Sequence, residues 1–523
     1  MSLSPGSLLE AFRPRYIVHL VLLPAIAGLL LSAAVPPSAN SALAIVCLIP
    51  LLWKAGQLSY RANALRGVVF TFAFYFFGVS WILDIDGFEV WHMFSIATFL
   101  SIGYAVFMIG IRAFASHSAI VQASLSGMLW ITLEYLRNHA GFLALPWTGL
   151  GQAAVGTPSL LQLAALTGEY GLSFVFVFSN SMLAAAIEPP KRHYRPYYRV
   201  RYVAIGAGVP ILFAIAGLVR LQVYDSEESM NVLAVHSDRP ASVVESYTNG
   251  QAFSDLKELT TISREGQAYD LVVWPEGTFK VINAYPFIYG SIHGLSREID
   301  SAIAFGISSG SKYMRKDKPR AAASMINEFA LIDWRTENIQ TFSKKVLVPF
   351  GEYIPLDETI PWPSWLIPDM AQFRVDGKSS IPKTRLDVSL VPVICWENLF
   401  ADAIRARTVQ GPAIGLNISD LSVFRSERAV RQHNAATVMR AVENGIPFIA
   451  ATNTGPSLLV APTGQILAQS SYGRQGYVSG VLPIPAHRTP YWRFGDLLVI
   501  TAALMLALWP LWGSRFHRDD QIA

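Results

Sequence analysis

The sequence predicts a polytopic α-helical membrane domain of about eight transmembrane helices joined to an α/β domain of soluble composition. Three observations carry this. Of the 523 residues, 52% are hydrophobic and only 15% charged, against roughly 25% charged in an ordinary soluble domain. Long apolar runs, each near the roughly 20 residues that cross a bilayer, fill residues 1–222 and return at 494–512. Between them, 228–485 has evenly spread charge, and short β-rich runs alternate with helical stretches.

The apolar runs lie at 16–34, 41–57, 67–84, 92–112, 118–136, 159–187, 202–221 and 494–512. The second is short, and the sixth contains Glu169. The first is too long for a cleavable signal peptide, and more runs follow it. Basic residues orient the set. Arg13 and Arg15 precede the first run, and Lys54, Arg61 and Arg66 lie between the second and third. Arg112 follows the fourth, and Lys191, Arg192, Arg195, Arg199 and Arg201 lie between the sixth and seventh. Arg515 and Arg518 end the chain. The alternate loops are poor in base, and "DIDGFEVWH" (84–92) is acidic. The positive-inside rule then places both termini in the cytoplasm, 228–485 outside, and 513–523 as a cytoplasmic tail. On this topology "KRHYRPYYRVRY" is a solvated cytoplasmic loop, and no nucleic-acid partner is expected.

Within 228–485, "MNVLAVHS", "YDLVVWPE", "SAIAFGIS", "INEFALID", "DVSLVPVIC", "PAIGLNIS" and "PFIAATNT" read as strands. "FSDLKELTTISREG" and "ERAVRQHNAATVMRAVENG" read as helices, the second stopping at Gly445 before Pro447. This alternation predicts a layered α/β domain with buried sheets. The cysteines, Cys47 and Cys395, stand far apart and supply no disulfide framework or zinc spacing. With no HExxH, Walker loop or helix-opening GxGxxG, neither a metal nor an organic cofactor is expected.

Three strand ends carry reactive groups. "LVVWPEGTF" ends at Glu276 after a strand-breaking Pro275. "FSKKVLVPFGEYIP" offers Lys344, Lys345 and Glu352, and "LVPVICWENL" offers Cys395 and Glu397. A thiol with an ordinary pKa near 8.5 is mostly protonated at neutral pH. A buried glutamate of raised pKa can take its proton during attack. A lysine and the backbone N–H after the cysteine can hold the developing oxyanion. Taken singly, each has an ordinary explanation: a packed core thiol, a strand-end acid, a solvated lysine. It is their joint occurrence that points to nucleophilic catalysis.

"VVWPEG", "SKKVLVPFGEYIP" and "VICWEN", in that order, resemble the nitrilase (carbon–nitrogen hydrolase) superfamily and, within it, the bacterial apolipoprotein N-acyltransferases. "LPWTGLGQ" (145–152), "ATNTG" (451–455) and "APTGQIL" (461–467) also look like that family's motifs, so the resemblance covers essentially the whole chain. It implies an extracytoplasmic α-β-β-α sandwich. Glu276 then corresponds to the general base, Lys344 to the family lysine, Cys395 to the nucleophile, and Glu352 to an acid that positions the lysine. Trp396 and Glu397 stand where the family has Tyr–Glu. Val346 replaces the usual His, and "SDLSVF" (419–424) replaces a "SNDAWF"-like loop. The implied reaction moves an acyl chain from a phospholipid through a Cys395 thioester to the amine of a diacylglyceryl-cysteine, in the inner membrane and as a monomer. Two rivals stay open: a membrane-tethered amidase or nitrilase-type hydrolase, and a non-catalytic scaffold.

In 355–373, Trp362, Trp365, Leu366, Ile367, Met370 and Phe373 are costly to expose. They either pack on the domain or form a lid dipping into lipid headgroups, with "INAYPFIYGS" (282–291) as a facing arm. Glu169 is either functional, as acids inside membrane segments tend to be, or, on the reading preferred here, exposed in a turn between half-helices.

Overall fold

A computed structural model describes residues 17–188, 197–223, 226, 228–238, 248–264, 266–281, 285–310, 325–336, 338–363, 373–377 and 379–512. The chain divides into two compact units. The first comprises Met1–Asp84, Phe88–Val223 and Phe494–Ala523, and the second Ile85–Gly87 and Tyr224–Arg493.

The first unit is helical. Its main helices are α1 (Val18–Ala34), α2 (Tyr60–Gly78), α3 (Val90–Ala113), α4 (Ala119–Asn138), α5 (Ala164–Ile187) and α6 (Tyr198–Val223), with a closing helix at Leu497–Trp512. Among the described residues four stretches, Val90–Ser116, Ala119–Asn138, Ala164–Ile187 and Tyr198–Gln222, are long and apolar enough to cross a membrane. Val18–Ala34, Ser41–Gln57 and Leu497–Leu511 are shorter apolar segments.

The second apolar run is not one helix. It forms two single turns, Ser41–Ala44 and Ile49–Leu52, and a 3₁₀ turn, Ala55–Gln57. The side chain of Asn180, on α5, supplies what the break leaves unpaired. It accepts from Leu48 N–H at 2.7 Å and donates to the Ala44 carbonyl at 2.7 Å. Arg66 does the same at the other end, donating to the Pro50 and Trp53 carbonyls at 3.0 and 3.2 Å and to that of Leu51. Arg66 is therefore fully buried rather than a solvated loop charge. The third run is also displaced, its helix spanning Tyr60–Gly78 with a 3₁₀ turn at Ser80–Asp84.

The sixth run breaks twice, into Pro158–Leu161 and α5, and α5 kinks at Gly168, where φ is +68°. Glu169 does follow a break between half-helices, but it is buried rather than exposed. The glycines of "TGLG" wrap it. A Cβ on Gly149 would stand 1.9 Å from Glu169 Oε1, and one on Gly151 would stand 2.4 Å from its carbonyl oxygen. Only a bare backbone passes that close to the side chain.

The second unit is an α-β-β-α sandwich. One sheet runs β12 (Gly476–Ile484), β1 (Glu228–His236), β2 (Leu271–Val273), β4 (Ala302–Gly310), β5 (Met325–Ile332), β6 (Gln340–Ser343), with β3 (Phe279–Val281) also on β4. The other runs β11 (Ile466–Gln469), β10 (Leu458–Val460), β9 (Phe448–Thr452), β8 (Ala413–Ser419), β7 (Ser389–Ile394). Val232, Val273, Phe329, Leu390, Leu416 and Ile449 belong to one apolar core shared by the two sheets. Helices α7 (Asn249–Arg264) and α8 (Tyr285–Ile299) bury Leu256, Ile292 and Leu295 against the outer face of the first sheet. The segment expected as a facing arm is thus, from Tyr285 on, the start of α8, with Ile288 in that core. On the other side α9 (Ala401–Arg407) and α10 (Glu427–Asn444) cover the second sheet. Gly445 stops α10 at φ +64°, a conformation glycine takes at no steric cost.

Strands β7, β8 and β9 are mutually parallel and wholly buried. Parallel strands covered on both faces read as continuous apolar runs, which is why these three are legible in the sequence. Pro392 fits inside β7 because β7 is an edge strand.

Candidate active site

The reactive groups come from loops at the ends of β2, β6, β7 and β8. β7 ends at Ile394, and Cys395 opens a 3₁₀ turn, Cys395–Leu399, with φ of +54°. A non-glycine residue held there costs of order 1–3 kcal/mol and persists only where its surroundings over-determine it. Glu397 does much of that holding. Its Oε2 accepts from Ile394 N–H at 2.9 Å, closing the turn around the cysteine. Its Oε1 accepts from the Lys345 and Val346 N–H groups at 2.8 and 3.0 Å. Arg407, at the end of α9, completes the cluster with two bonds of 2.7 Å to the two carboxylate oxygens, and a third, at 2.9 Å, to the Pro392 carbonyl. The fully buried Glu397 thereby ties the cysteine turn to the lysine-bearing segment.

That segment follows β6. Adjacent residues of an extended chain point to opposite sides, and the two lysines do. Lys344 turns inward and is almost fully buried. Its Nζ donates to Glu352 Oε1 at 2.8 Å and lies 3.5 Å from Glu276 Oε1. Lys345 turns away, toward the Asp376 carbonyl and Ser379. Glu352 Oε2 accepts from Val348 N–H at 2.8 Å, so the "VPFGE" turn closes on itself.

Glu276 sits just beyond β2. Asn327 Nδ2, from β5, donates to its Oε1 at 2.7 Å, and Asp420 N–H, beyond β8, donates to its Oε2 at 2.8 Å. Gly306 on β4 makes room for it, since a Cβ there would stand 2.5 Å from Glu276 Cα. The replaced loop "SDLSVF" thus meets Glu276 through its backbone, a contact indifferent to its side chains.

Electrostatics follow from this arrangement. Burial lifts the Glu276 carboxyl above the ordinary range; Lys344 opposes and Glu352 reinforces the shift. Burial also works against the Lys344 ammonium, but the charges of Glu276 and Glu352 outweigh it and hold the proton more tightly than usual. The Cys395 thiol is pushed well up by burial and by Glu276, with Glu352 and Asp420 adding to it and Lys344 opposing. It is therefore not a resting thiolate. For Glu397, burial opposes ionisation, and Arg407 with the converging N–H donors overcomes it, holding the carboxyl low. His433, buried on α10 against the backbone of Cys395, is lowered by burial to about 4 and is a neutral imidazole.

Glu276, Lys344, Glu352 and Cys395 thus form one electrostatically connected group, with Glu397 beneath it. Trp396 is half-buried and packs edge-on against Phe400 at 5.2 Å. Trp362 is bound back to its own segment, through Nε1 to the Pro355 carbonyl at 2.6 Å and edge-on to Phe350. Phe373 N–H donates to the Glu352 carbonyl at 2.7 Å. Trp365, Leu366, Ile367 and Met370 lie outside the described residues. Among the described residues no group of His, Cys, Asp or Glu is arranged to hold a metal ion.

Sequence reasoning missed Asn327, Arg407, Asp420 and Asn453, the last of which donates from Nδ2 to Asp420 Oδ1. Asp420 and Asn453 carried a usable signal, since each lies just past the C-terminal end of a buried parallel strand, as Cys395 does. Arg407 carried none, being one of two arginines in a short polar helix.

Residues 27–182 match the apolipoprotein N-acyltransferase N-terminal domain, and 242–486 match the carbon–nitrogen hydrolase family. An apolipoprotein N-acyltransferase of Geobacter metallireducens is 25% identical over 93% of this chain and 94% of its own length. Those of Photobacterium profundum and Rhodopseudomonas palustris are 23% and 26% identical, covering 87% and 86% of this chain and 87% and 84% of their own. The protein is a membrane protein, and the chain belongs to the apolipoprotein N-acyltransferases, in which the matched N-terminal domain precedes a carbon–nitrogen hydrolase domain.

Proposed function

We propose that this protein N-acylates lipoproteins by a ping-pong route, with a membrane phospholipid as donor and the N-terminal amine of a diacylglyceryl-cysteine as acceptor. Glu276 takes the Cys395 thiol proton as sulfur attacks the phospholipid ester carbonyl. Lys344 and the Trp396 backbone N–H hold the oxyanion. Glu276 returns the proton to the departing lysophospholipid oxygen, leaving an acyl thioester on Cys395. The acceptor amine attacks that thioester, and the amide leaves. Glu352 holds Lys344, and Glu397 holds both the cysteine turn and the lysine segment.

The observation that carries this reading is the buried Lys344 ammonium between Glu276 and Glu352, with the thiol of Cys395 in the same field. A thiol raised by its surroundings needs a base at the moment of attack, and a carboxylate raised by burial is a better base than a solvated one.

The remaining expectations belong to the same reading. The membrane unit crosses eight times, with both termini cytoplasmic and 228–485 extracytoplasmic, and the protein acts as a monomer. The 355–373 segment, on composition, faces lipid.

The test uses the purified protein with a phospholipid labelled in its acyl chain. Intact mass is expected to show one fatty-acyl adduct, absent from Cys395→Ala, and a diacylglyceryl-cysteine peptide is expected to discharge it as an N-acyl peptide. Release of free fatty acid at the same rate with and without peptide would establish a hydrolase instead, and no adduct under any condition would establish a scaffold.

A further inference from the structure

The proposed cycle leaves one proton unassigned. The acceptor's α-amine has a pKa of about 8, so it arrives largely as an ammonium, which has no lone pair with which to attack. To end as an amide N–H, its nitrogen must lose two protons. One goes by way of Glu276 to the departing sulfur. The other needs a second base.

Glu352 is not free for this. Its Oε1 takes Lys344 and Asn327, and its Oε2 takes Val348 N–H. Asp420 is placed for it. In the parallel ladder Ile394 pairs with Ile418 and Ser419 with Thr452, so Cys395, Asp420 and Asn453 emerge side by side past the C-terminal ends of β7, β8 and β9. Asp420 N–H holds Glu276 Oε2 at 2.8 Å, which puts the residue next to the base. Its carboxylate is anchored through one oxygen only. Oδ1 accepts from Ser422 N–H at 3.1 Å, from Ser422 Oγ at 2.6 Å, and from Asn453 Nδ2. Oδ2 receives no hydrogen bond among the described residues, and it stands 3.9 Å from where a Cβ on Gly277, the residue after the base, would be. The residue is half-buried, and its charge reaches the Cys395 thiol.

We propose that Asp420 receives the acceptor ammonium on Oδ2 and takes the proton that must leave before nitrogen can attack. The inference rests on the thioester route proposed above. The step balances. The C–N bond forms and the C–S bond breaks. Of the three ammonium protons, one passes to Asp420, one through Glu276 to the Cys395 sulfur, and one stays on the amide; Asp420 then gives its proton to water. The charged groups around the spot are Glu276, Lys344 and Glu352, with Cys395 acylated and neutral at this stage. The Asp420 carboxylate takes no proton in the first half-reaction, which contains no amine.

The experiment separates the half-reactions in the full-length protein and Asp420→Asn, a near-isosteric variant that keeps Oδ1 as an acceptor for Ser422 and Asn453. Both are loaded from labelled phospholipid without acceptor and the thioester is followed by intact mass. Each is then discharged with a diacylglyceryl-cysteine peptide between pH 6.5 and 9, and separately with hydroxylamine, a nucleophile uncharged at neutral pH. We expect a thioester to form in both and, once formed, to discharge to hydroxylamine at equal rates. Discharge to peptide should be slower in Asp420→Asn by about 10²-fold at pH 6.5, with the gap closing as pH passes the amine's own pKa. Equal peptide discharge at pH 6.5, a deficit that does not vary with pH, or an equal deficit toward hydroxylamine would each overturn the role of Asp420. If the unsubstituted protein never loads, the thioester route itself falls, and that outcome is distinguishable from the others.

Discussion

Burial raises Cys395 and Glu276, whereas Arg407 and the converging N–H donors lower Glu397 against its burial. With the cysteine and Glu276 both raised, the proposed route calls for proton transfer within the attack rather than a standing thiolate. The acidic limb of kcat/KM should therefore fall at a pH above the ordinary glutamate value of about 4.3, because activity needs Glu276 ionised and its carboxyl holds the proton more tightly than usual. A pH–rate profile checks this, and a limb at or below the ordinary value would contradict it. Glu397 is lowered, so the sign for stability is opposite. Its contribution is present above the unfolded glutamate pKa and is lost as pH falls through the folded one. Glu397→Gln or Arg407→Met, each leaving an unpaired buried charge or donor set, is expected to destabilise the second unit by about 3–5 kcal/mol. The double substitution should recover part of that stability in a denaturation midpoint but little of the activity, because the N–H groups of Ile394, Lys345 and Val346 lose their shared ionised acceptor.

Among the elements, the strand ends bring the reactive groups together, and β4 and the β2 loop approach closely at Gly306. Gly306 lies against the Glu276 backbone, with Gly306 N–H donating to the Pro275 carbonyl at 3.1 Å. In Gly306→Ala the added methyl must push Glu276 aside. Since misplacement by about 1 Å costs on the order of 10²-fold in rate, kcat should fall by about that much while the thermal midpoint changes modestly. Normal kinetics in this variant would show that Glu276 tolerates displacement. The membrane elements obey the same accounting. The breaks at Leu48 and Gly168 survive because Asn180, Arg66 and the bare Gly149–Gly151 backbone meet them.

For the whole molecule the testable quantity is topology. With eight crossings, the loop holding Asp86 lies outside and that holding Ser116 inside; both residues are exposed. In intact bacterial cells, in a Cys395→Ala background, a membrane-impermeant thiol reagent should label Asp86→Cys and spare Ser116→Cys until the membrane is permeabilised. The reverse pattern would invert the chain and put the second unit in the cytoplasm.

By itself the sequence determined the two-part plan, because apolar runs of bilayer length and strands buried on both faces leave a compositional imprint that needs no partner to be read. It also marked Glu276, Lys344, Glu352, Cys395 and Glu397, since each follows a legible strand or turn within a family motif. Only the tertiary structure decided how they are held. That Arg407 locks Glu397, that Asn327 and Asp420 N–H hold Glu276, and that Arg66 and Glu169 are buried all depend on groups distant in sequence meeting in space. The second and sixth apolar runs look continuous because hydropathy averages over a window. A helix break is decided instead by whether an outside side chain, such as that of Asn180, can satisfy the backbone groups it frees.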